Sequence, residues 1–404
     1  MARGIPFVRF GGSGYWPRDM RLYREDRAEY FRRFDGVVRS AEKHGVGLIP
    51  SLFWYFGTVP DLVGEPIDQW GNPQSKTHEW MREYVREVVT RYRTSPAIWA
   101  WEFGNEYGLQ ANLPNAAEHR PVAHPKLGTP ATRSERDDLT VEMVRTAFAA
   151  FATEICKHDP QRLIASGDSL PSRSLWHQWK EGQWTHDTPA LFSEMLAGAN
   201  PDPLTLISVH TYDEDFRRIP AAMETSRRIG KPLFVGEFGA GGETAAVEME
   251  CRRLLSMILA EGVPLSALWV FDLSNQKEFS ITATNARAWQ LDLIADANRE
   301  LRAGKAPRDF PRPAPEPFKL ADTFRDGMVI ERDKPAVVSG TAEWGSEITV
   351  RFAGQTKTAT ADSKGRWSVK LDRMPASDEP RELLASDGTT SVTRSNVRVG
   401  RAAE

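Results

Sequence analysis

Cysteine is scarce in this chain, and so are long apolar runs and stretches of charge of one sign. Cys156 and Cys251 are its only cysteines, too few for a disulfide framework or a cysteine metal site, so we expect free thiols. No apolar run approaches the roughly 20 residues that a membrane-spanning helix needs. Acidic and basic residues are mixed, with a formal net charge of −3. The charge pattern therefore predicts neither a nucleic-acid partner nor a membrane partner.

Tryptophan is plentiful, with 13 residues, and the hydrophobic fraction of 40% is typical of a globular protein. Large cores use tryptophan, but its flat apolar ring also stacks on the apolar faces of sugars, and composition leaves both uses open. A chain of 404 residues is too long for one ordinary core, which predicts two domains. The start, MARGIPFVRF, does not have the form of a signal peptide.

Short apolar runs alternate with longer amphipathic stretches up to about residue 303. Each run is nearly continuous in apolar residues, as in strands that are buried on both faces of a parallel sheet. The predicted strands are 5–11, 47–54, 98–104, 162–167, 206–212, 232–238 and 265–271. The predicted helices are 26–44, 75–93, 137–158, 219–229, 243–261 and 285–303. Repeated strand–helix units of this length predict an α/β fold, a (β/α)₈ TIM barrel over residues 1–303.

The predicted barrel has seven strands rather than eight. The motifs described below fall where the second to eighth strands of a complete barrel would stand, so we expect the first βα unit to be missing upstream of Met1. A barrel without that unit would expose strand edges on both sides of the gap. An inactive or poorly folded fragment is therefore one alternative.

The pattern changes after residue 303. Residues 304–317, GKAPRDFPRPAPEP, are predicted to be a stiff proline-rich linker. From 318 to 404 the apolar period becomes two, and short strand-like segments are separated by turn signals such as DSKG at 362–365. This region is predicted to be an all-β sandwich.

Polar and aromatic side chains stand at the ends of the predicted barrel strands, where the active sites of such barrels lie. They come from five separate strands, so we expect them to meet at one rim. The set is Arg9, Asn105, Glu106, His210, Tyr212, Glu237 and Trp269. Among the acids, Glu102 shares the parity of Glu106 and is predicted to be a buried structural group. Asp168 and Asp272 are predicted to cap loops.

Two carboxyl groups in one pocket are what glycoside cleavage with retention requires. Glu237 is the candidate nucleophile, kept charged by Arg9 and Tyr212. Glu106 is the candidate acid/base, with a pKa raised by partial burial and by the charge of Glu237. His210 is expected to hydrogen-bond either Glu106 or a sugar hydroxyl. The remaining candidates are expected to contact the sugar. They are Asn105 at the 2-hydroxyl, Trp269 under the ring, Trp54, and Trp16. For Trp16 and its neighbour Tyr15, loop packing is the alternative to contact with sugar.

The segments IWAWEFGNE (98–106) and KPLFVGEFG (231–239) resemble the fourth-strand and seventh-strand signatures of glycoside hydrolase family 5, in clan A. Arg9, His210, Tyr212 and Trp269 match further family positions, and the resemblance covers roughly residues 1–303. It implies a retaining O-glycosyl hydrolase that needs no cofactor or metal. The family often has a histidine at the end of the third strand, where this chain has SLFWYFG, and WEFGNE is closer to the β-mannanase form.

The resemblance further implies a β-mannan or β-glucan substrate, a monomer, and export to the periplasm or the cell exterior. Residues 318–400 resemble the sandwich segment of sialate O-acetylesterase-like proteins, but the chain stops before any serine nucleophile motif, so we expect no esterase activity. A non-catalytic carbohydrate-binding protein is the alternative from another class. Hydrolysis assays and calorimetry with oligosaccharides distinguish the two.

Overall fold

Seven short strands follow one another through the first part of the chain in the computed structural model, which describes residues 4–401 without the side chains of Asp213 and Glu214. Their bounds are β1 (Phe7–Gly11), β2 (Gly47–Phe53), β3 (Ala100–Gly104), β4 (Leu163–Ala165), β5 (Ile207–Tyr212), β6 (Leu233–Gly239) and β7 (Leu265–Leu268). Paired neighbours are parallel. Every residue of β2, β3 and β6 is buried, as expected for strands that are covered on both faces.

Helices separate these strands, and each predicted helical stretch contains one. The helices are α1 (Arg21–Glu25), α2 (Arg27–His44), α3 (Thr58–Val63), α4 (Lys76–Tyr92), α5 (Val141–His158), α6 (Leu175–Glu181), α7 (Pro189–Gly198), α8 (Ile219–Ile229), α9 (Ala245–Glu261) and α10 (Trp289–Arg302). Side-chain caps explain several starts, because Asp26 accepts from the backbone N–H of Glu29 and Ser75 from that of His78. Gly45 ends α2 with φ of 62°, a conformation that glycine adopts without strain.

The strands occur in sequential order, in two hydrogen-bonded sheets, β1–β2–β3–β4 and β5–β6–β7. The sheets meet at β4 and β5, because the backbone N–H groups of Thr205 and Leu206 donate to the carbonyl of Ile164 at 3.0 and 3.1 Å. Sequential parallel winding with intervening helices confirms the predicted barrel-type fold. Within residues 4–401, no strand pairing joins β1 to β7.

The barrel interior is filled by one side chain from nearly every strand. The innermost cluster is Phe7, Ile49, Ala100, Ala165, Leu206 and Phe234, with Leu265 and Ala267 packed against it. One step further along the strands, Arg9, Ser51 and Glu102 replace these apolar groups; Ser51 and Glu102 are partners in the β2–β3 register. The interior therefore becomes polar toward the carboxyl ends of the strands, where the predicted site lies.

A β-bulge in β6 changes which face its last residues present. Val209 pairs with Val235, but the next residue, His210, pairs with Glu237, so that Gly236 is an extra residue on β6. Phe234 points into the barrel, and strict alternation from it would place Glu237 on the outside. The extra residue resets the alternation. A side chain at Gly236 would place its Cβ 2.9 Å from Nε2 of His210, so the bulge requires glycine.

The chain divides into two compact units, Met1–Thr185 with Phe192–Arg312, and His186–Leu191 with Pro313–Glu404. The second is rich in strands: β8 (Lys319–Leu320), β9 (Val329–Glu331), β10 (Ala336–Thr341), β11 (Glu347–Phe352), β12 (Gln355–Thr360), β13 (Arg366–Leu371), β14 (Ser377–Ser386) and β15 (Ser391–Gly400). They form two sheets, ordered β13–β10–β8 and β12–β11–β14–β15–β9. The DSKG turn is present, but it links strands of different sheets rather than a paired hairpin.

Alternate residues of this unit point into one core. In β13 the pattern is strictly alternating, with Trp367, Val369 and Leu371 buried. This is the expected pattern for sheets with one covered face. Among the residues described, no helix has both the length and the apolar character that crossing a bilayer would require.

Candidate active site

A cleft of about 350 Å³ opens at the carboxyl ends of the barrel strands. Its walls carry two carboxyl groups among aromatic and amide side chains. The lining residues are Tyr15, Trp54, Asn105, Glu106, Tyr212, Glu237, Trp269, Leu273, Asn275, Gln276 and Phe279. The cleft thus brings together the polar ends of β3, β5 and β6 with the segments that follow β1, β2 and β7.

Arg9 is the hub of a hydrogen-bond network that includes two of the lining residues, Asn105 and Glu237. Its Nε donates to Glu102 at 2.7 Å and its Nη1 to Glu237 at 2.6 Å, and its Nη2 donates to Oδ1 of Asn105 at 2.9 Å. The side chains of Arg9, Glu102 and Glu237 are only 3%, 0% and 5% exposed. A single guanidinium thus pairs with two buried carboxyl groups and fixes the amide of Asn105.

Replacing Arg9 by Met is expected to lower the free energy of unfolding by about 3–5 kcal/mol, because it leaves two buried carboxylates without their cation. Urea unfolding followed by circular dichroism measures this. The matched control is Arg21→Met, which breaks an exposed i,i+4 pair with Glu25 and is expected to cost less than about 0.5 kcal/mol. Equal losses in the two variants would show that Arg9 is not the hub that its contacts indicate.

Glu237 is held at both carboxyl oxygens. Oε1 accepts from Arg9, and Oε2 accepts from the hydroxyl of Tyr212 at 2.5 Å. Burial and the neighbouring Glu237 raise the pKa of Tyr212, so this phenol remains a hydrogen-bond donor. Donors on both oxygens fix the orientation of this carboxyl group.

Glu106 stands in a different environment. Its side chain is 28% exposed to the cleft, and it has no hydrogen bond to Arg9 among the described residues. Burial raises the pKa of Glu106, although the charge of Arg9 opposes the shift. Its backbone is left-handed, with φ of 55° and ψ of 35°, an uncommon conformation for a residue with a side chain.

His210 lies between the two carboxyl groups. Its Nδ1 is 3.0 Å from Oε1 of Glu106 and 3.6 Å from Oε2 of Glu237. Burial lowers the pKa of His210 to about 3, against the charge of Glu237, so the ring is neutral at physiological pH. A neutral ring with its proton on Nδ1 donates to Glu106 without adding a charge to the cleft.

One ligand atom each from Glu106, His210 and Glu237 lie within 4.8 Å of one another. This trio has the ligand types of a metal site. However, Arg9 and Tyr212 already bind both oxygens of Glu237. An oxygen of Glu106 lies within 4.8 Å of an oxygen of Glu237, which is closer to the spacing of retaining glycosidases than to the roughly 6.5–9.5 Å of inverting ones. The arrangement is therefore better suited to a carboxylate nucleophile beside a proton donor than to an ion.

Aromatic rings form one wall of the cleft. Trp54 and Trp269 are stacked with their centroids 6.1 Å apart and their planes at 19°, and Tyr15 meets Trp54 edge-on at 5.8 Å. The indole N–H of Trp269 donates to the side chain of Gln276 at 2.7 Å. Flat apolar faces beside amide groups are typical of sugar-binding surfaces.

Trp16 does not line this cleft. It borders a neighbouring pocket, where its ring packs on Tyr55 and its indole N–H donates to Asp61 at 3.2 Å. Consecutive side chains point in different directions in this loop, so Tyr15 lines the cleft where Trp16 was predicted to do so. Sequence reasoning treated these two rings alike, because a loop has no fixed period from which side-chain direction can be read.

Two amide side chains after β7 were not among the predicted site residues. Asn275 and Gln276 both line the cleft, together with Leu273 and Phe279. The nearby Trp269 was the one available signal. Glu102 is fully buried and bonded to Arg9, as a structural acid would be. Asp272 is exposed.

Comparisons with known proteins bear on the barrel. The family model "Cellulase (glycosyl hydrolase family 5)" matches residues 3–273. Probable mannan endo-1,4-beta-mannosidase F of Aspergillus flavus is 42% identical over 82 residues, 19% of this chain and 17% of that protein. The chain thus spans about a fifth of the length of the curated relatives it matches.

Among solved structures, the endo-beta-1,4-mannanase from Thermotoga petrophila aligns at 16% identity and a TM-score of 0.52, covering 98% of this chain and 92% of that one. This likeness shows the fold. A carbohydrate acetylesterase from Xanthomonas citri is 32% identical over an alignment that covers 20% of this chain and 19% of that one, with a TM-score of 0.20.

Proposed function

Because the chain belongs to glycosyl hydrolase family 5, we propose that it hydrolyses β-linked glycans with retention of configuration at the anomeric carbon. The observation that carries this proposal is the meeting of Glu106 and Glu237 in one cleft, within 4.8 Å at their nearest described oxygens, in two unlike environments. That spacing leaves no room for a water between the carboxyl and the sugar, and favours direct attack.

The reaction proceeds by double displacement. A carboxylate oxygen of Glu237 attacks the anomeric carbon while Glu106 passes its proton to the departing glycosidic oxygen, giving a covalent glycosyl–enzyme. Glu106, now ionised, then takes a proton from water as that water attacks the same carbon, and Glu237 is released. Arg9 holds Oδ1 of Asn105, so the amide N–H groups remain available for the sugar 2-hydroxyl.

β-Mannan is the substrate that we propose first. The curated relatives that match this chain over short segments are named as mannan endo-1,4-beta-mannosidases. The segment WEFGNE (101–106), which runs past the end of β3, also resembles the β-mannanase form of this motif. The stacked indoles and the amides of Asn275 and Gln276 suit a polar sugar with apolar faces. A direct comparison of oligosaccharides tests this choice.

The experiment is hydrolysis of mannohexaose, cellohexaose and xylohexaose, with the first product followed by proton NMR. We expect mannohexaose to be cleaved fastest and the β-anomer to appear before mutarotation. Glu118→Gln, an exposed loop substitution, serves as the control that should not differ from wild type. Early appearance of the α-anomer would exclude a retaining enzyme. Calorimetry that shows binding without turnover of any oligosaccharide would favour a carbohydrate-binding protein.

A further inference from the structure

The loop that carries Glu106 is tied to the end of β4 by three successive hydrogen bonds. The backbone N–H groups of Gly104 and Glu106 donate to the carbonyls of Ser166 and Gly167, at 3.1 and 3.0 Å. The next alternate residue, Gly108, donates to a side chain instead, Oδ1 of Asp168, at 3.0 Å. The hydrogen bonds between the β3 and β4 segments thus continue beyond the ends of both strands. The last acceptor is the carboxyl group of Asp168 instead of a backbone carbonyl.

Asp168 is built into this position. It is 3% exposed, and the same Oδ1 also accepts from the backbone N–H of Ser169 at 3.0 Å. A Cβ at position 108 would lie 2.4 Å from Oδ2 of Asp168, so only glycine allows this approach. The local bond to Ser169 is an ordinary loop cap, but the bond to Gly108 spans 60 residues and reaches the turn that begins at Glu106.

We propose that Asp168 is a positioning residue for the acid/base Glu106, acting through Gly108. This inference rests on the proposed function. Glu106 has a left-handed backbone, which persists only where the surrounding structure enforces it. The hydrogen bond from the backbone N–H of Glu106 to Gly167 holds this turn at its start. The hydrogen bond from Gly108 to Asp168 holds it two residues later. Without that bond the turn relaxes and the carboxyl group of Glu106 moves relative to the glycosidic oxygen.

Asp168 need not be charged for this role. Burial raises the pKa of Asp168 to about 7, and its Oδ1 can accept hydrogen bonds in either protonation state. An asparagine at this position retains the accepting oxygen, whereas an alanine removes it. The pair of variants therefore separates the hydrogen bond from the charge.

The test compares two substrates in Asp168→Ala and Asp168→Asn. Mannohexaose has a poor leaving group and needs the proton of Glu106, whereas dinitrophenyl β-mannobioside has a leaving group that departs without it. A misplacement of about 1 Å can cost on the order of 100-fold in rate. We expect that loss in kcat for mannohexaose in Asp168→Ala, with KM little changed. For the dinitrophenyl substrate we expect a loss in glycosylation of less than about fivefold.

Asp168→Asn is expected to recover mannohexaose activity to within about threefold of wild type, because it keeps the acceptor. Gly108→Ala displaces the carboxyl group of Asp168 without changing its chemistry. It should therefore also lower the rate on mannohexaose far more than the rate on the dinitrophenyl substrate. It also serves if Asp168→Ala does not fold. Asp296→Ala, on the exposed side of α10, is the surface control.

Equal losses on both substrates, or no loss on either, in folded Asp168→Ala and Gly108→Ala would overturn the inference. Failure of asparagine to recover activity would also overturn it, since the hydrogen bond would then not be what matters. If the wild type hydrolyses neither substrate, the proposed function fails first and this inference falls with it. The wild-type rates therefore distinguish the two failures.

Discussion

Replacing Glu237 by Gln is expected to lower kcat by on the order of 10⁴-fold or more on every substrate, because loss of a nucleophile removes the covalent route itself. The loss should not depend on the leaving group, since the attacking oxygen is absent whichever bond is broken. Rates with mannohexaose and dinitrophenyl β-mannobioside measure it. Trapping the wild type with a 2-deoxy-2-fluoro mannoside and mapping the modified peptide should place the added mass on Glu237.

The matched control is Glu102→Gln. It makes the same substitution at a second carboxyl group bound to the same guanidinium, because Glu102 accepts from Nε of Arg9 as Glu237 accepts from Nη1. Glu102 is fully buried and does not line the cleft. We expect a far smaller loss of kcat than in Glu237→Gln. Similar losses in the two variants would mean that charge balance around Arg9, and not attack by Glu237, limits the rate.

Replacing Glu106 by Ala is expected to lower kcat/KM for mannohexaose by about 10²–10⁴-fold, the usual contribution of a general acid. The first step with dinitrophenyl β-mannobioside should be nearly unaffected, because a dinitrophenolate leaves without a proton. The glycosyl–enzyme should then accumulate, since the general base for its hydrolysis is also absent. Azide, a small anion that fits the vacated space and needs no base, should accelerate turnover and yield a β-glycosyl azide.

The pH profile gives the same assignment independently. Glu106 acts as an acid only while protonated, and its pKa is raised by burial, so the active form persists to higher pH than for an ordinary glutamic acid. kcat/KM for mannohexaose should fall as the pH rises through that raised pKa. With the same substrate, the residual activity of Glu106→Ala should lack this basic limb. A basic limb that is unchanged in the variant would assign it to another group.

Some site residues could be predicted because strand ends are readable. Arg9, His210 and Tyr212 lie on apolar strands with inward parity, and in the structure each of them contacts Glu106 or Glu237. Trp16, Gln276 and Asn275 lie in loops, where no period fixes the direction of a side chain. Their places in or outside the cleft depend on packing between segments that are distant in sequence.

The positions of the seven barrel strands were readable from the sequence alone, because burial on both faces leaves continuous apolar runs, and six of the helices between them were readable as well. The two carboxyls and their strands followed from the same pattern. Only the tertiary structure decided that Glu237 faces the cleft. The bulge at Gly236 reverses the alternation begun by Phe234. A bulge is an extra residue relative to the paired strand, so it exists only in relation to that strand, here β5. Alternation within one strand contains no information about that partner.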